Sequence, residues 1–215
     1  MEYKRGLFIS IVAWVGITSL AAGQMMRQGP SIPGILNPVV GGGAEYEVTQ
    51  KDEGKSTWSY AVVGKEKIQG ADGYWLEMRM RGGQQGGTIM KMLTVVQGGK
   101  AEAKRMIIQS SGQPAMEMPM EMMAGAQKAV PTDAKALGEK VGSEMVTVPA
   151  GAFLCDHYRR QSDSATTDVW ISPKVPPNGL VKMNSPDQTM TLVKVLANQT
   201  SEIKGEVMSM GPGLH

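Results

Sequence analysis

The chain has 215 residues, of which 41 % are hydrophobic and 20 % charged, which fits one folded domain and not a disordered chain. Lys and Arg number 22 against 20 Asp and Glu, a formal net charge of +2, which excludes a dominant nucleic-acid footprint. One cysteine, Cys155, rules out an intrachain disulfide and a cysteine-based zinc cluster, and two histidines argue against a multi-histidine metal centre. The anomalies are 18 Met and 27 Gly.

The N-terminus combines Lys4 and Arg5 with an apolar run from Leu7 to Ile17 and small residues at Ala21, Ala22 and Gly23. This is the layout of a cleaved export signal over residues 1–23, with cleavage after Gly23 or Ala21. The apolar run from Leu7 to Ala22 is shorter than the ~20 residues a helical span needs, so no stable membrane span is expected after cleavage. Residues 24–43 contain Gly29, Pro30, Pro33, Gly34, Pro38 and a Gly41-Gly42-Gly43 triplet and read as a flexible leader, with a short apolar anchor at Ile35-Leu36.

From Ala44 the pattern alternates with period two, and a single β domain over 44–204 is expected. Tyr46 and Val48 oppose Glu45 and Glu47; Trp58, Tyr60 and Val62 repeat the pattern after Asp52-Glu53-Gly54. Lys65 to Gln69 reads as a third, charged strand. Tyr74, Leu76, Met78 and Met80 then alternate with Trp75, Glu77, Arg79 and Arg81. Thr88 to Gln97 is apolar on both faces, as expected of a central strand covered on both sides. Gly98-Gly99 turns the chain into a partner strand, Ala101 to Gln109. Between Ser110 and Ala134 the rhythm breaks around Pro114, Pro119 and Pro131, and Glu121 to Ala129 reads as a short helix or helical lid. Strands resume near Leu137 and continue to Ala197, interrupted by a connector at 173–179; residues 205–215 read as a weakly structured tail. Short turns between consecutive strands give an antiparallel meander, and the lack of strand–helix alternation excludes a doubly wound parallel sheet.

The phrases Leu137-Gly138, Glu144 to Phe153 (EMVTVPAGAF), Tyr158-Arg159, Asp168 to Ser172 (DVWIS) and Pro176 to Met183 (PPNGLVKM) carry a resemblance. In order and spacing the chain from Tyr46 to Ala197 resembles exported bacterial proteins of the LolA/LolB-like lipoprotein-localisation superfamily. That resemblance implies a mainly β fold: a curved antiparallel half-barrel of about eleven strands around one or two short helices. It also implies an apolar concave side able to hold an acyl chain. The expected apolar-ligand cavity and its lid comprise Leu76, Met78, Met80, Met90, Met92, Met118, Met120 and Met122.

Other constellations carry less chemistry. Met116, Met118, Met120, Met122 and Met123 form a thioether-rich run that suits Cu(I), but Met is spread over the whole chain, which favours a pliable apolar lid. Cys155 and His157 share a strand face ~7 Å apart, too far for a thiolate–imidazole hydrogen bond, so Cys155 reads as an inert core thiol. The paired carboxylates Glu45/Glu47 and the basic pairs Arg79/Arg81 and Arg159/Arg160 read as solvated strand faces. No catalytic residue, cofactor or metal site is therefore expected. The chain is expected to be a periplasmic or secreted binder or carrier of a lipid or acyl chain. The alternative is a ligand-free envelope scaffold that docks a protein partner; a Met-rich copper protein stands third.

Overall fold

The computed structural model describes residues 32–51, 54–83, 87–97, 100–119, 130–131, 134–162 and 165–209. They form one sheet. Its strands are β1 (Gly43–Gln50), β2 (Gly54–Ile68), β3 (Ala71–Arg81), β4 (Thr88–Gln97), β5 (Lys100–Gln109), β6 (Ala115–Met118), β7 (Val130–Pro131), β8 (Glu139–Val148), β9 (Gly151–Ser162), β10 (Ala165–Ile171), β11 (Leu180–Asn184), β12 (Gln188–Leu196) and β13 (Val207–Ser209). The spatial order is β13-β6-β5-β4-β3-β2-β1-β12-β11-β10-β9-β8, with β7 beside β5. The sheet is mainly antiparallel, curved and open; β13 alone runs parallel to its neighbour, β6.

Period-two patterning sets which side faces in. On β1, Ala44, Tyr46 and Val48 are buried while Glu47 is exposed. They join Trp58, Met80, Val169, Ile171, Leu180, Val181, Met190 and Leu192 in the main core on the inner face. Each fully buried Leu of this set contributes roughly 1.5–3 kcal/mol by leaving water. The curl is closed on this side because the β8–β9 hairpin folds back towards β11 and β12. Among the described residues the only helix is a 3-10 turn at Ala134–Leu137, and its Leu137 joins the main core. The helix expected at Glu121 to Ala129 lies outside the described residues.

The charged strand expected at Lys65 to Gln69 is not separate. β2 continues to Ile68, and Gly64 marks a register shift that lets the strand bend without ending. Residues 32–43, read as leader, are docked. Ile35 N donates to Asn178 O (2.9 Å) and Asn37 N to Pro177 O (2.7 Å), while Asn178 Nδ2 donates to Pro33 O (2.9 Å). The approach is so close that a Cβ on Gly34 would run into the Asn178 carbonyl, which only glycine avoids.

The outer face is also covered, as expected at Thr88 to Gln97, by a segment the sequence reading did not identify. After β12 the chain crosses the outer side of β3 to β5 as a strap, residues 197–206, before pairing as β13. Glu77 and Arg79, the latter read as solvated with Arg81, are 0 % and 5 % exposed beneath it. Arg79 Nε donates to Glu77 Oε1 (2.8 Å) and its Nη2 to Thr200 O (2.7 Å); Ser201 Oγ donates to Glu77 Oε2 (2.6 Å) and Glu202 N to Glu77 Oε1 (2.9 Å). Ile203 packs with Trp75, Leu93, Ile107 and Ala115, a second, smaller core. This is why β4 is apolar on both faces.

Candidate functional site

The inner face of β2 to β6 is laid out by register. One cross-strand row is Tyr60–Met78–Met90–Ile108–Met116, and its neighbour is Val62–Leu76–Met92–Met106–Met118. Directly paired residues point to the same side of an antiparallel sheet, with Cβ atoms about 4.5–5.5 Å apart. Met78 and Met80 belong to the main core with Tyr46 and Trp58. Ala103, Met106 and Met118 form a separate cluster against which Met90, Met92 and Ile108 are only half-buried.

A cavity of about 40 Å³ lies where these rows meet the docked segment. Its floor is Leu76, Met92, Thr94, Ala101 and Ala103, with Tyr60 at one side, and its roof is Ile32, Gly34, Leu36 and Asn178. The register shift at Leu93/Thr94 carries Ala103 opposite Thr94 and keeps both on the inner face. Thr94 is 4 % exposed, and its Oγ1 has no hydrogen-bond partner among the described residues. The phenol of Tyr60 is pushed well above its ordinary range by burial. The cavity is thus apolar, with two hydroxyl-bearing side chains on its wall. At this volume it holds about one water-sized body, not an acyl chain, so a larger ligand must displace the 32–36 roof or spread over Met90 and Met92.

Of the expected cavity residues, the structure brings Leu76 and Met92 to the cavity wall and sets Met90 and Met118 on the same face. Met78 and Met80 go to the core, and Met120 and Met122 lie outside the described residues. Sequence reasoning missed Tyr60, Thr94, Ala103, Met106 and the roof. The strand alternation marks the first four, but only the pairing register shows that they converge.

The other half of the sheet carries a polar cluster on β8 to β11. His157 stacks on Trp170 with ring centroids 4.4 Å apart, and its Nε2 lies 2.7 Å from Asp168 Oδ1. Trp170 Nε1 donates to Glu144 Oε1 (2.6 Å), and Arg159 Nε donates to Asp168 Oδ1 (2.8 Å). Burial works to raise the Asp168 carboxyl, but the hydrogen bonds from Arg159 and His157 outweigh it and hold it below the ordinary carboxylate range. A broad open depression of about 560 Å³ adjoins Asp168, bordered by Gln161, Thr166, Asn184 and Ser185. Asp168 has its partners already, and the cluster ties three strands together. Cys155 is 1 % exposed, and burial, with Glu144 and Asp156 nearby, pushes its thiol up to about 11. A thiol so protonated is a poor nucleophile.

The family model that matches spans residues 46–205, from β1 through the strap, and is described as a domain of unknown function, DUF4412. The chain belongs to the DUF4412 family. The match takes in β1 to β12 and the clasp on Glu77, so these are parts of the DUF4412 domain itself, whereas the 32–36 roof lies outside it. Among curated proteins none matches. Solved structures that are similar include these two. A candidate lipoprotein from Parabacteroides distasonis is 14 % identical with a TM-score of 0.42, over 77 % of this chain and 100 % of that one. An exported protein with a YmcC-like fold from Bacteroides fragilis is 12 % identical with a TM-score of 0.43, over 76 % of this chain and 99 % of that one. Among the described residues no helix is long and apolar enough to cross a membrane.

Proposed function

We propose that this DUF4412 protein is an exported binding protein, not an enzyme, that takes an apolar ligand of the acyl-chain class on the inner face of β3 to β6. The observation that carries this reading is the cavity bounded by Leu76, Met92 and the 32–36 roof, beside the half-buried Met90 and Ile108 in the next cross-strand row. Met side chains are unbranched and polarizable and repack around ligands of different length. Tyr60 and Thr94 offer hydroxyls to a polar head group at the cavity wall. The roof is a short peptide held by a few hydrogen bonds around Asn178, and lifting it needs no break in the sheet. The signal-like residues 1–23 and the resemblance to lipoprotein-localisation half-barrels support export and the ligand class.

Organic extraction of the purified protein followed by mass spectrometry tests the reading, together with uptake of a fluorescent fatty acid. A stoichiometric lipid, or saturable uptake weakened by Met92→Ser with Met106→Ser, is expected. A clean extract and no uptake would leave the envelope scaffold as the better account. N-terminal sequencing of the exported protein should find a start near Ala22 or Gln24.

A further inference from the structure

The sulfur atoms on the inner face have a second possible chemistry. Met92, Met106 and Met118 sit directly opposite one another on β4, β5 and β6, one residue per strand in an unbroken row. Met90 and Met116 lie in the next row, two residues along on β4 and β6. Strands are about 4.8 Å apart, so the outer two thioethers flank the middle one within the reach of a three-bond side chain. Met106 and Met118 are 8 % and 9 % exposed, and half-buried Met92 leaves one side of the row open to entry. The residues that share this face on the same three strands include Thr88, Thr94, Ala103 and Ile108, with no carboxylate or imidazole among them. The Arg105–Glu117 ion pair (2.6 Å) is on the opposite face. Among the described residues no group of three or more His, Cys, Asp or Glu could hold a metal. The donor set is therefore neutral sulfur alone.

From this register we infer that Met92, Met106 and Met118 form a three-thioether site for a soft monovalent cation, Cu(I) or its analogue Ag(I). Neutral thioethers select Cu(I) over Mg, Ca or Zn, which want oxygen, imidazole or thiolate. A dry apolar wall shields the ion from water and from oxygen donors. The site uses only described residues, so the Met-rich stretch beyond Met118 is not needed. It does not depend on acyl-chain binding, although Met92 serves both.

Replacing Met by Leu keeps the apolar volume and removes the sulfur. Cu(I) affinity is measured anaerobically by competition with a chromophoric Cu(I) chelator, on wild type and on Met92→Leu/Met106→Leu/Met118→Leu. Wild type is expected to take up one Cu(I) with sulfur-only coordination by X-ray absorption. The triple variant should bind at least tenfold more weakly, with its melting transition retained. Met145→Leu, at an exposed site on β8, and Cys155→Ala should bind as wild type does. Equal binding by wild type and the triple variant, no binding by wild type, or loss in Cys155→Ala alone would each overturn the site.

Discussion

The inner face of the sheet has two halves made from the same alternation and finished differently. Beneath β8 to β12, Tyr46, Leu180, Val181, Met190 and Leu192 are all 0 % exposed. Over β4 to β6, Met90, Met92, Ile108 and Met116 are half-buried. The first half is sealed because the β8–β9 hairpin returns to β11 and β12; the second meets, among the described residues, the docked 32–36 segment. Branched and aromatic side chains, with Met183 and Met190 among them, fill the sealed half, and flexible methionine predominates in the open one. The difference teaches that burial by the sheet's own curl produces a stable core. A face left half-covered by a short peptide is where a ligand has room to compete.

Stability should divide along the same line. Leu192→Ala removes a fully buried side chain and should lower unfolding free energy by about 3–4 kcal/mol, whereas Met90→Ala at a half-buried position should lower it by about 1 kcal/mol. Denaturant titration of both variants checks this, and equal losses would erase the contrast between the halves. The strap should come next. Glu77→Gln takes the charge from a carboxylate bonded by Arg79, Ser201 and Glu202, and should lower stability by about 2–3 kcal/mol. Trypsin should then cut faster at Lys204 in the strap than in wild type.

Loosening the roof sharpens the comparison from the ligand side. Asn178→Ala deletes the donor to Ile32 O (3.3 Å) and Pro33 O (2.9 Å), and should reduce stability by about 1–2 kcal/mol. If the roof competes with ligand, the same variant should take up fatty acid faster than wild type; slower uptake would make the roof part of the binding site. The smallest effect is electrostatic. Asp168 and Glu117 are both held below the ordinary carboxylate range, Asp168 by Arg159 and His157 against the pull of burial, Glu117 by its hydrogen bonds from Arg105. Their contribution is complete above about pH 4 and is lost as pH falls through their lower folded-state values. For such partly exposed pairs it should stay below about 1 kcal/mol each, and Asp168→Asn should flatten that acid limb slightly in thermal melts at pH 2 to 5.

Much of this architecture is legible in the sequence. Alternation in Tyr46 to Gln50, Tyr74 to Arg81 and Thr88 to Gln97 places strands and faces correctly, because half-buried antiparallel strands force that period. Gly64 misled because a strand bulge and a strand end look alike in one dimension. Arg79 misled because its buried ion pair with Glu77 has the composition of a solvated face. Only the strap, more than a hundred residues later, reveals the burial. The methionines were visible one by one, but the row Met92–Met106–Met118 depends on the register shift at Leu93/Thr94, a pairing detail that no local pattern encodes.

The central claim is that ligand enters the methionine half and leaves the sealed half untouched. Methyl-labelled methionine gives one NMR probe at each of these positions, so titration with palmitate reads both halves in a single sample. The account predicts saturable shifts for the methyl groups of Met90, Met92, Met106 and Met118, with those of Met183 and Met190 unmoved. Shifts confined to Met183 and Met190, or none at any methionine at saturating palmitate, would contradict it.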